Sequence, residues 1–300
     1  MPPLKFTCKS PKQLLQIILR RVIALQTVRP LSTAMIAPEL RLLQSPDRLI
    51  YQTAIAHRLA AQHQIAPESI AQELQHQLIN AFATVLPAPE ARDWGWWPEL
   101  AIQDFRFTTP SGYLQIEWLD GAIAAWLGRV LAAPPEAVSV PPPPPAPGSP
   151  PPPQWDGKAL FRLQHSHARC CSLLRQAAHA QMMTWPPRSP HPVLQAVSWL
   201  DVQNQLLTCT ASERHLIYCL FATFDSFTAD PAPAPRQTWQ LAQALSYATQ
   251  TLQRQFPLFG LCQNWEPDRR QAYLALIAIA QQALCHLLEA KLHCPAPTEL

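Results

Sequence analysis

Hydrophobic residues in the first 130 positions follow two different periods. Leucine, isoleucine and alanine recur at helical spacing in residues 11–28, 47–63 and 67–83. Pro30 ends the first of these segments and Pro67 opens the third, as expected for a residue that fits only the first turn of a helix. The pattern therefore predicts three amphipathic helices before the spacing changes.

Apolar and polar residues alternate in residues 105–108 and 113–118, which is typical of half-buried strands. Residues 109–112, Thr-Pro-Ser-Gly, supply turn chemistry between them, so we expect a β-hairpin. A last helical pattern occupies residues 120–131. Residues 1–132 are therefore predicted to form a small α+β domain.

Helical spacing dominates the chain after residue 155. Five segments show it, separated by prolines or short polar stretches: 163–180, 192–208, 213–224, 239–256 and 267–292. Helices joined by short loops are typical of an all-α bundle. The protein is thus predicted to be mainly α, with a helical bundle in residues 155–300.

Prolines concentrate between these two halves, in residues 133–154, which include the runs Pro141–Pro145 and Pro150–Pro153. Proline lacks the amide hydrogen that helices and central strands need, so we expect a polyproline II spacer here. The predicted domains are therefore 1–132 and 155–300, joined by a linker. The P-x-x-P spacing leaves open a second role as a ligand of an SH3- or WW-type domain.

Composition reduces the number of possible classes of function. The chain has only 7 glycines among 300 residues and neither of the glycine-rich loops that cradle phosphates. A formal net charge of +3 permits nucleic-acid binding without requiring it. The 8 cysteines include no C-x-x-C pair, and no segment resembles a signal peptide or a membrane span. We therefore expect a cytoplasmic protein with reduced thiols, no membrane association and no cofactor.

A dense group of polar and sulfur-containing residues lies at 164–175, Gln-His-Ser-His-Ala-Arg-Cys-Cys-Ser-Leu-Leu-Arg. His167 with Cys170 or Cys171 lies on one helical face, a spacing that could hold zinc or form a Cys–His nucleophile. Neither a second ligand pair nor an orienting acid accompanies them. The simplest interpretation is a helix with two buried thiols and two outward-facing arginines.

These twelve residues also resemble the opening motif of the helical anticodon-binding (DALR) domain of arginyl-tRNA synthetases. That motif reads Gln-Tyr-Ala-His-Ala-Arg, followed by apolar-Cys-Ser-apolar-Leu-Arg, and His165 and Ser166 depart from it. Eight positions agree with the motif: Gln164, His167, Ala168, Arg169, Cys171, Ser172, Leu174 and Arg175. Further along, Leu292, Ala296 and Pro297 coincide with the family's closing phrase, Leu-Gly-Ile-Glu-Ala-Pro-Glu-Arg-Met. The resemblance implies that residues 155–300 fold as a DALR domain.

Residues 1–132 resemble the N-terminal domain with which the same synthetases contact the elbow of tRNA. The helical phrase Ile-Ala-His-Arg-Leu-Ala at 55–60 and the phrase Pro-Glu-Ser-Ile-Ala at 67–71 occur in the family's order. The strand phrase at 109–116 follows, with Gln115 in the place of an asparagine and Thr109 in the place of a glycine. The order of these phrases, on one chain with the DALR-like motif, carries this second resemblance.

The catalytic body that joins these two domains in the family has no counterpart in the sequence. In the family it binds ATP and activates arginine, and it carries a His-x-Gly-His phrase and a Lys-Met-Ser-Lys-like loop, neither of which occurs here. A linker of about twenty residues cannot contain a nucleotide-binding sheet. The resemblance therefore implies a protein that binds tRNA, including arginine-specific tRNA, and is not an enzyme.

Arginine side chains that hold phosphates and aromatic rings that stack on bases are the groups such a protein needs. The predicted RNA-binding residues are Gln164, His167, Arg169, Arg175, Arg254, Arg269, Arg270, Tyr113 and Tyr247. Two other functions stay open. The chain could be a structural or regulatory module that binds another protein, including a synthetase, or a tRNA-recognition subunit acting in trans with a separate catalytic chain.

Overall fold

The computed structural model describes residues 10–26, 39–45, 48–84, 100–132, 155–183, 197–229 and 232–299. The chain divides into two compact units between Trp126 and Leu127. The predicted proline-rich linker, residues 133–154, lies outside the described residues. The boundaries of the two predicted domains therefore stay predictions.

The described part of the first unit combines helices with one sheet. The helices are α1 (Pro11–Gln26), α2 (Ile55–His63), α3 (Pro67–Thr84) and α4 (Asp120–Ala132), and the division between the units falls within α4. The strands are β1 (Arg41–Leu43), β2 (Leu49–Thr53), β3 (Phe105–Thr108) and β4 (Leu114–Trp118).

The sheet has the strand order β1-β2-β4-β3, with every neighbouring pair antiparallel. Ile116 on β4 lies opposite Tyr51 on β2 and Phe107 on β3, and all three side chains are buried on one face. The ring of Phe82 on α3 lies 5.6 Å from that of Phe107, so α3 covers this apolar face. The hairpin predicted from the period-two pattern is confirmed.

A glycine makes the turn of this hairpin compatible with the packing of α3. Gly112 has a φ of 75°, in the region that side chains with a Cβ rarely adopt. A Cβ atom placed on it would lie 2.7 Å from the Cβ of Pro67, the first residue of α3. The turn and the start of α3 can therefore approach each other only with glycine at this position.

The helix predicted for residues 47–63 is correct only in its second half. Residues Leu49–Thr53 form β2, which pairs with β1 on one side and β4 on the other, and α2 begins at Ile55. The side chain of Thr53 accepts a hydrogen bond from the amide of Ile55 at 3.3 Å and so helps to start the helix. Leu-Ile-Tyr fits both periods over so short a run, and pairing with two neighbouring strands decides between them.

The second unit is a bundle of long helices among its described residues. They are α5 (Gly157–His179), α6 (Ala211–Phe227), α7 (Pro235–Gln255) and α8 (Pro267–His286), and a π-helical turn, Leu287–Lys291, continues α8. Every residue from Ala272 to Leu284 is buried, because α5, α6 and α7 all pack against α8. A helix that is buried all round has no polar face to show to water.

Within the described residues, α8 together with its π turn is long and apolar enough to span a membrane. However, 89% of its apolar window is buried by the rest of the protein. That burial is what the core helix of a bundle requires, so its length and apolarity need no membrane to explain them.

The predicted helix at 192–208 is wrong over its described part. Residues 197–208 form an irregular turn, closed by an isolated bridge between Leu200 and Leu206. The carboxylate of Asp201 accepts hydrogen bonds from the amides of Gln203 and Gln205 at 2.8 and 2.9 Å. Such a local side-chain bond competes with helix formation. The prediction of a mainly helical protein is nevertheless confirmed, with the sheet confined to the N-terminal region.

A single carboxylate ties together the ends of two strands and the residue before β2. Glu117 on β4 accepts a hydrogen bond of 2.6 Å from Nε of Arg48 and one of 3.2 Å from Arg106 on β3. The bond from Arg48, aided by the positive charges of both arginines, holds the pKa of the Glu117 carboxyl below its usual value of 4.5. This ion cluster therefore stabilises the fold only while Glu117 is ionised.

We expect Glu117→Gln to lower the free energy of unfolding by about 1 kcal/mol at neutral pH, because both arginines are half exposed and water screens them. Since the folded-state pKa is lowered, the wild-type carboxylate stabilises the protein above pH 4.5. That advantage is lost as the pH falls through the folded-state value. Urea titrations of both proteins from neutral pH to about pH 3 should converge at the acidic end. A difference that persists unchanged in acid would contradict this account.

Candidate nucleic-acid interface

The motif of residues 164–175 lies in the middle of α5. The helix begins after Asp156, whose carboxylate accepts hydrogen bonds from the amides of Lys158 and Ala159 at 3.3 and 3.2 Å. This cap satisfies amides that would otherwise lack partners. One face of α5, which includes Leu163, Cys170 and Leu174, is buried in the bundle. The polar residues of the motif are thereby divided between the edges of that face and the surface.

His167 is a structural link between three segments. Its Nδ1 lies 2.8 Å from the carbonyl oxygen of Pro297, and its Nε2 lies 2.8 Å from the amide nitrogen of Gln281 on α8. A carbonyl can only accept, so Nδ1 carries the proton and Nε2 accepts from Gln281. The side chain is 1% exposed. Both ring nitrogens are thus engaged, which fits a buried structural histidine better than an RNA contact or a metal ligand.

The neighbouring thiols are equally unsuited to nucleophilic chemistry. Burial raises the pKa of the Cys170 thiol to about 12 and that of the Cys171 thiol to about 11. Reactive cysteines have the opposite shift, because the thiolate is the nucleophile. No group of three or more metal-ligating side chains occurs among the described residues. Both thiols of α5 are thus buried and protonated.

Gln164 and Arg175, at the two ends of the motif, bind the chain's own segment 292–299. Gln164 donates to the carbonyl oxygen of Pro295 at 3.0 Å. Arg175 donates to the carbonyl oxygen of Thr298 and to the carboxylate of Glu299, both at 2.8 Å. The sequence shows that the DALR-like motif and the family-like closing phrase occur in one chain. It does not indicate that the two segments are in contact.

Helices α5 and α7 meet along a polar seam. The hydroxyls of Ser166 and Ser246 are 2.7 Å apart, Gln250 donates to Ser166 at 2.6 Å, and Gln253 donates to Cys170 at 3.2 Å. At its start, the rings of Trp155 and Trp239 stack with their centroids 4.5 Å apart and only 6° between their planes. The seam therefore holds the two helices side by side along most of their length.

The exposed surface on both sides of this seam is basic. Helix α5 carries four Lys and Arg residues, α7 carries two, and neither contains Asp or Glu. Arg162 and Arg169 lie one helical turn before and after Ser166, and both are exposed. Exposed Arg254 lies one turn after Gln250 and donates to it at 3.4 Å. We call the exposed side chains of α5 and α7 along the seam the α5–α7 face.

An exposed aromatic ring accompanies these charges. Tyr247, which follows Ser246 of the seam on α7, is 65% exposed and so does not contribute to the core. The α5–α7 face therefore contains three of the residues predicted to bind RNA, namely Arg169, Tyr247 and Arg254. It also contains Arg162 and Arg236, which the sequence patterns did not single out because no motif includes them.

Arg269, at the start of α8, has a different environment. Its guanidinium lies 2.5 Å from the carboxylate of Glu213 and 4.2 Å from the centre of the Trp265 ring. The side chain of Glu213 is fully buried and that of Arg269 is 17% exposed. Glu213 also completes a capping box with Thr210 at the start of α6. Arg269 thus connects α6 and α8, and the adjacent Arg270 is half-buried.

Tyr113 belongs to the first unit. It follows the hairpin turn, is 38% exposed, and its ring centroid lies 4.6 Å from that of His57. His57 in turn reaches the carbonyl oxygen of Ser111 at 3.1 Å. The ring of Tyr113 is therefore held in place while one side stays accessible for stacking.

Comparison with known proteins points in the same direction as the motif. The chain is 30% identical over 131 residues to an arginine–tRNA ligase from Gloeobacter violaceus. The aligned region covers 43% of this chain and 20% of that protein, so the chain matches about a fifth of the relative's length. No protein-family profile and no solved structure matches the chain. The chain is thus similar in part to an arginyl-tRNA synthetase.

The buried pair of Glu213 and Arg269 yields a prediction about stability. Glu213→Gln keeps a side chain that can complete the capping box but leaves the guanidinium of Arg269 without its carboxylate. We expect a loss of roughly 3 kcal/mol in the free energy of unfolding, since breaking one side of a buried ion pair leaves a charge uncompensated. Urea denaturation measures this change.

The control is Asp268→Asn, which removes an exposed carboxylate in the same turn of α8. It should cost less than about 1 kcal/mol, the usual size of a helix-dipole contribution. Equal effects of the two substitutions would show that the Glu213–Arg269 pair has no special structural role.

Proposed function

We propose that this protein is a non-catalytic tRNA-binding protein that uses the tRNA-recognising parts of an arginyl-tRNA synthetase. The observation that carries the proposal is the α5–α7 face, with its exposed arginines, the exposed ring of Tyr247 and no carboxylate on either helix. Phosphates of an RNA loop would pair with the arginines, and unstacked bases would stack on Tyr247. The partial similarity to an arginine–tRNA ligase supports tRNA as the particular RNA.

The first unit supplies a second polar surface suited to the elbow of tRNA. In the register of the sheet, Arg41, Gln52, Gln115 and Thr108 lie side by side across all four strands. Arg41 and Thr108 are exposed, and the two glutamines are half-buried. Because successive residues of a strand point to opposite sides of the sheet, this row lies on the side opposite the apolar face that packs on α3. Under the proposal, the row and Tyr113 would contact the sugar and base edges of nucleotides.

We propose that the chain is not an enzyme because the ATP-binding motifs are missing from its sequence. We also propose that it acts in the cytoplasm, because it is similar in part to a synthetase.

A protein-binding module is the second candidate function. Phe259 and Leu261, between α7 and α8, are 46% and 58% exposed, and neighbouring exposed apolar side chains favour a protein contact. Pull-down with a synthetase in the absence of RNA would identify that function.

The primary experiment is a titration of the protein against total tRNA at two salt concentrations. If the protein contacts phosphates, binding should weaken as salt is added. Each contact releases cations that were condensed on the RNA, and added salt opposes that release. Binding weaker than roughly tens of micromolar at low salt would reject the proposal, because even non-specific binding reaches about 1–100 μM at physiological salt and tightens as salt is removed. Arginine-dependent exchange of pyrophosphate into ATP is expected to be absent, and its detection would show that the chain is catalytic.

The arginines of the α5–α7 face should control the salt dependence. We expect the double variant Arg169→Gln, Arg254→Gln to bind tRNA more weakly and to reduce the slope of log K against log salt by about 1 to 2, since two phosphate contacts are lost. The control variants combine Arg214→Gln on α6 with either Arg169→Gln or Arg254→Gln. They lower the net charge by the same two units as the test variant but remove only one of the two proposed phosphate contacts. A slope that depends only on total charge would contradict this assignment.

Tyr247 should contribute affinity without salt dependence. We expect Tyr247→Ala to weaken tRNA binding by about 1–3 kcal/mol, the usual contribution of one stacked base, and to leave the salt slope unchanged. Tyr247→Phe keeps the aromatic face and should retain most of the affinity. Equal losses in both variants would indicate that the hydroxyl, and not stacking, makes the contact.

A further inference from the structure

A second feature of α5 lies beside the α5–α7 face. His165, Arg169, Ser172 and Arg175 follow one stripe of the helix at intervals of four, three and three residues, and they line a shallow pocket of about 270 Å³. Each of these side chains can donate a hydrogen bond, and two of them always carry a positive charge. No residue of α5 contributes a negative charge to this pocket.

The negative charge in the pocket comes from elsewhere in the chain. Glu299 lines the opposite wall and accepts a hydrogen bond of 2.8 Å from Nη1 of Arg175. Its side chain is 79% exposed, and that of Arg175 is 36% exposed. Exposed ion pairs of this kind are weak because water competes for both charges. The carboxylate therefore occupies a cationic pocket without being held firmly in it.

The rest of segment 292–299 is anchored independently of Glu299. Pro297 accepts a hydrogen bond from His167, and Pro295 accepts one from Gln164. The His167 side chain is buried, whereas the Glu299 contact lies at the surface. Glu299 can thus leave Arg175 while the segment stays docked on α5. The released Nη1 of Arg175 would then donate to a phosphate oxygen, while Nη2 keeps its hydrogen bond to the carbonyl oxygen of Thr298.

From this arrangement we infer that the pocket of His165, Arg169, Ser172 and Arg175 is a phosphate-binding site that Glu299 occupies in the free protein. A phosphate group displaces the carboxylate, so Glu299 acts as an internal competitor that lowers the affinity of the site. With RNA as the source of the phosphate, this inference rests on the proposed function and places one backbone phosphate next to the α5–α7 face. A free polyphosphate has the same chemistry.

The test uses inorganic tripolyphosphate as a probe, with the side-chain Nε–Hε signals of the arginines followed by nuclear magnetic resonance. The signals of Arg169 and Arg175 should shift in the wild-type protein. Glu299→Gln, which keeps the size of the side chain, should tighten binding about two- to fivefold, the range set by an exposed ion pair. In an Arg175→Gln background, Glu299→Gln should give no such gain.

The matched control is Glu266→Gln, which removes one exposed carboxylate at the start of α8. Glu266 precedes Gln281, the α8 partner of His167, by fifteen residues, or about 22 Å of helix. Its replacement changes the net charge equally but should leave the affinity nearly unchanged. Equal effects of Glu299→Gln and Glu266→Gln would overturn the inference, and so would unshifted signals of Arg169 and Arg175.

A parallel titration with tRNA separates this inference from the proposed function. If tRNA binds and Glu299→Gln tightens it selectively, the phosphate belongs to the RNA backbone. If tripolyphosphate responds as expected but tRNA does not bind, the site serves free polyphosphate and the proposed function fails. If tRNA binds and Glu299→Gln matches Glu266→Gln with both probes, the inference fails and the proposed function stands.

Discussion

The burial of α8 is the constraint on which the second unit depends. A helix that is apolar on all sides can be stable in water only when other helices surround it. Helices α5, α6 and α7 each contribute an apolar face to that enclosure. Because one face of each is committed to α8, their charged residues must lie on the opposite side or between neighbouring helices. The outward position of the α5–α7 face is a consequence of how α8 is enclosed.

Several polar groups on α8 have specific partners. Gln281 hydrogen-bonds His167, which also binds the carbonyl oxygen of Pro297, and Glu213 pairs with Arg269. An unpaired polar group in such a place would cost free energy, so these contacts also determine how the helices are aligned. The docking of segment 292–299 follows from the same requirement, since one nitrogen of His167 needs an acceptor from outside the bundle.

Much of the secondary structure could be predicted from periodicity. The long helices and the hairpin of β3 and β4 have patterns that extend over several turns or alternations, and these predictions agree with the structure. The errors occur where the pattern is short or local chemistry competes with it. Leu49–Thr53 became a strand because two neighbouring strands pair with it, and residues 197–208 became a turn because Asp201 binds the backbone.

The properties of the candidate site can also be separated into those that the sequence determines and those that depend on the tertiary structure. By itself, the sequence determined the fold class, the DALR-like motif and the absence of acidic residues from α5 and α7, because these depend only on residue types and their spacing. The tertiary structure decided which motif residues face outward. It placed His167 and Arg269 in internal contacts, brought Arg169, Tyr247 and Arg254 to one face, and set Glu299 against Arg175. Those outcomes depend on contacts between residues more than fifty positions apart, which no local pattern encodes.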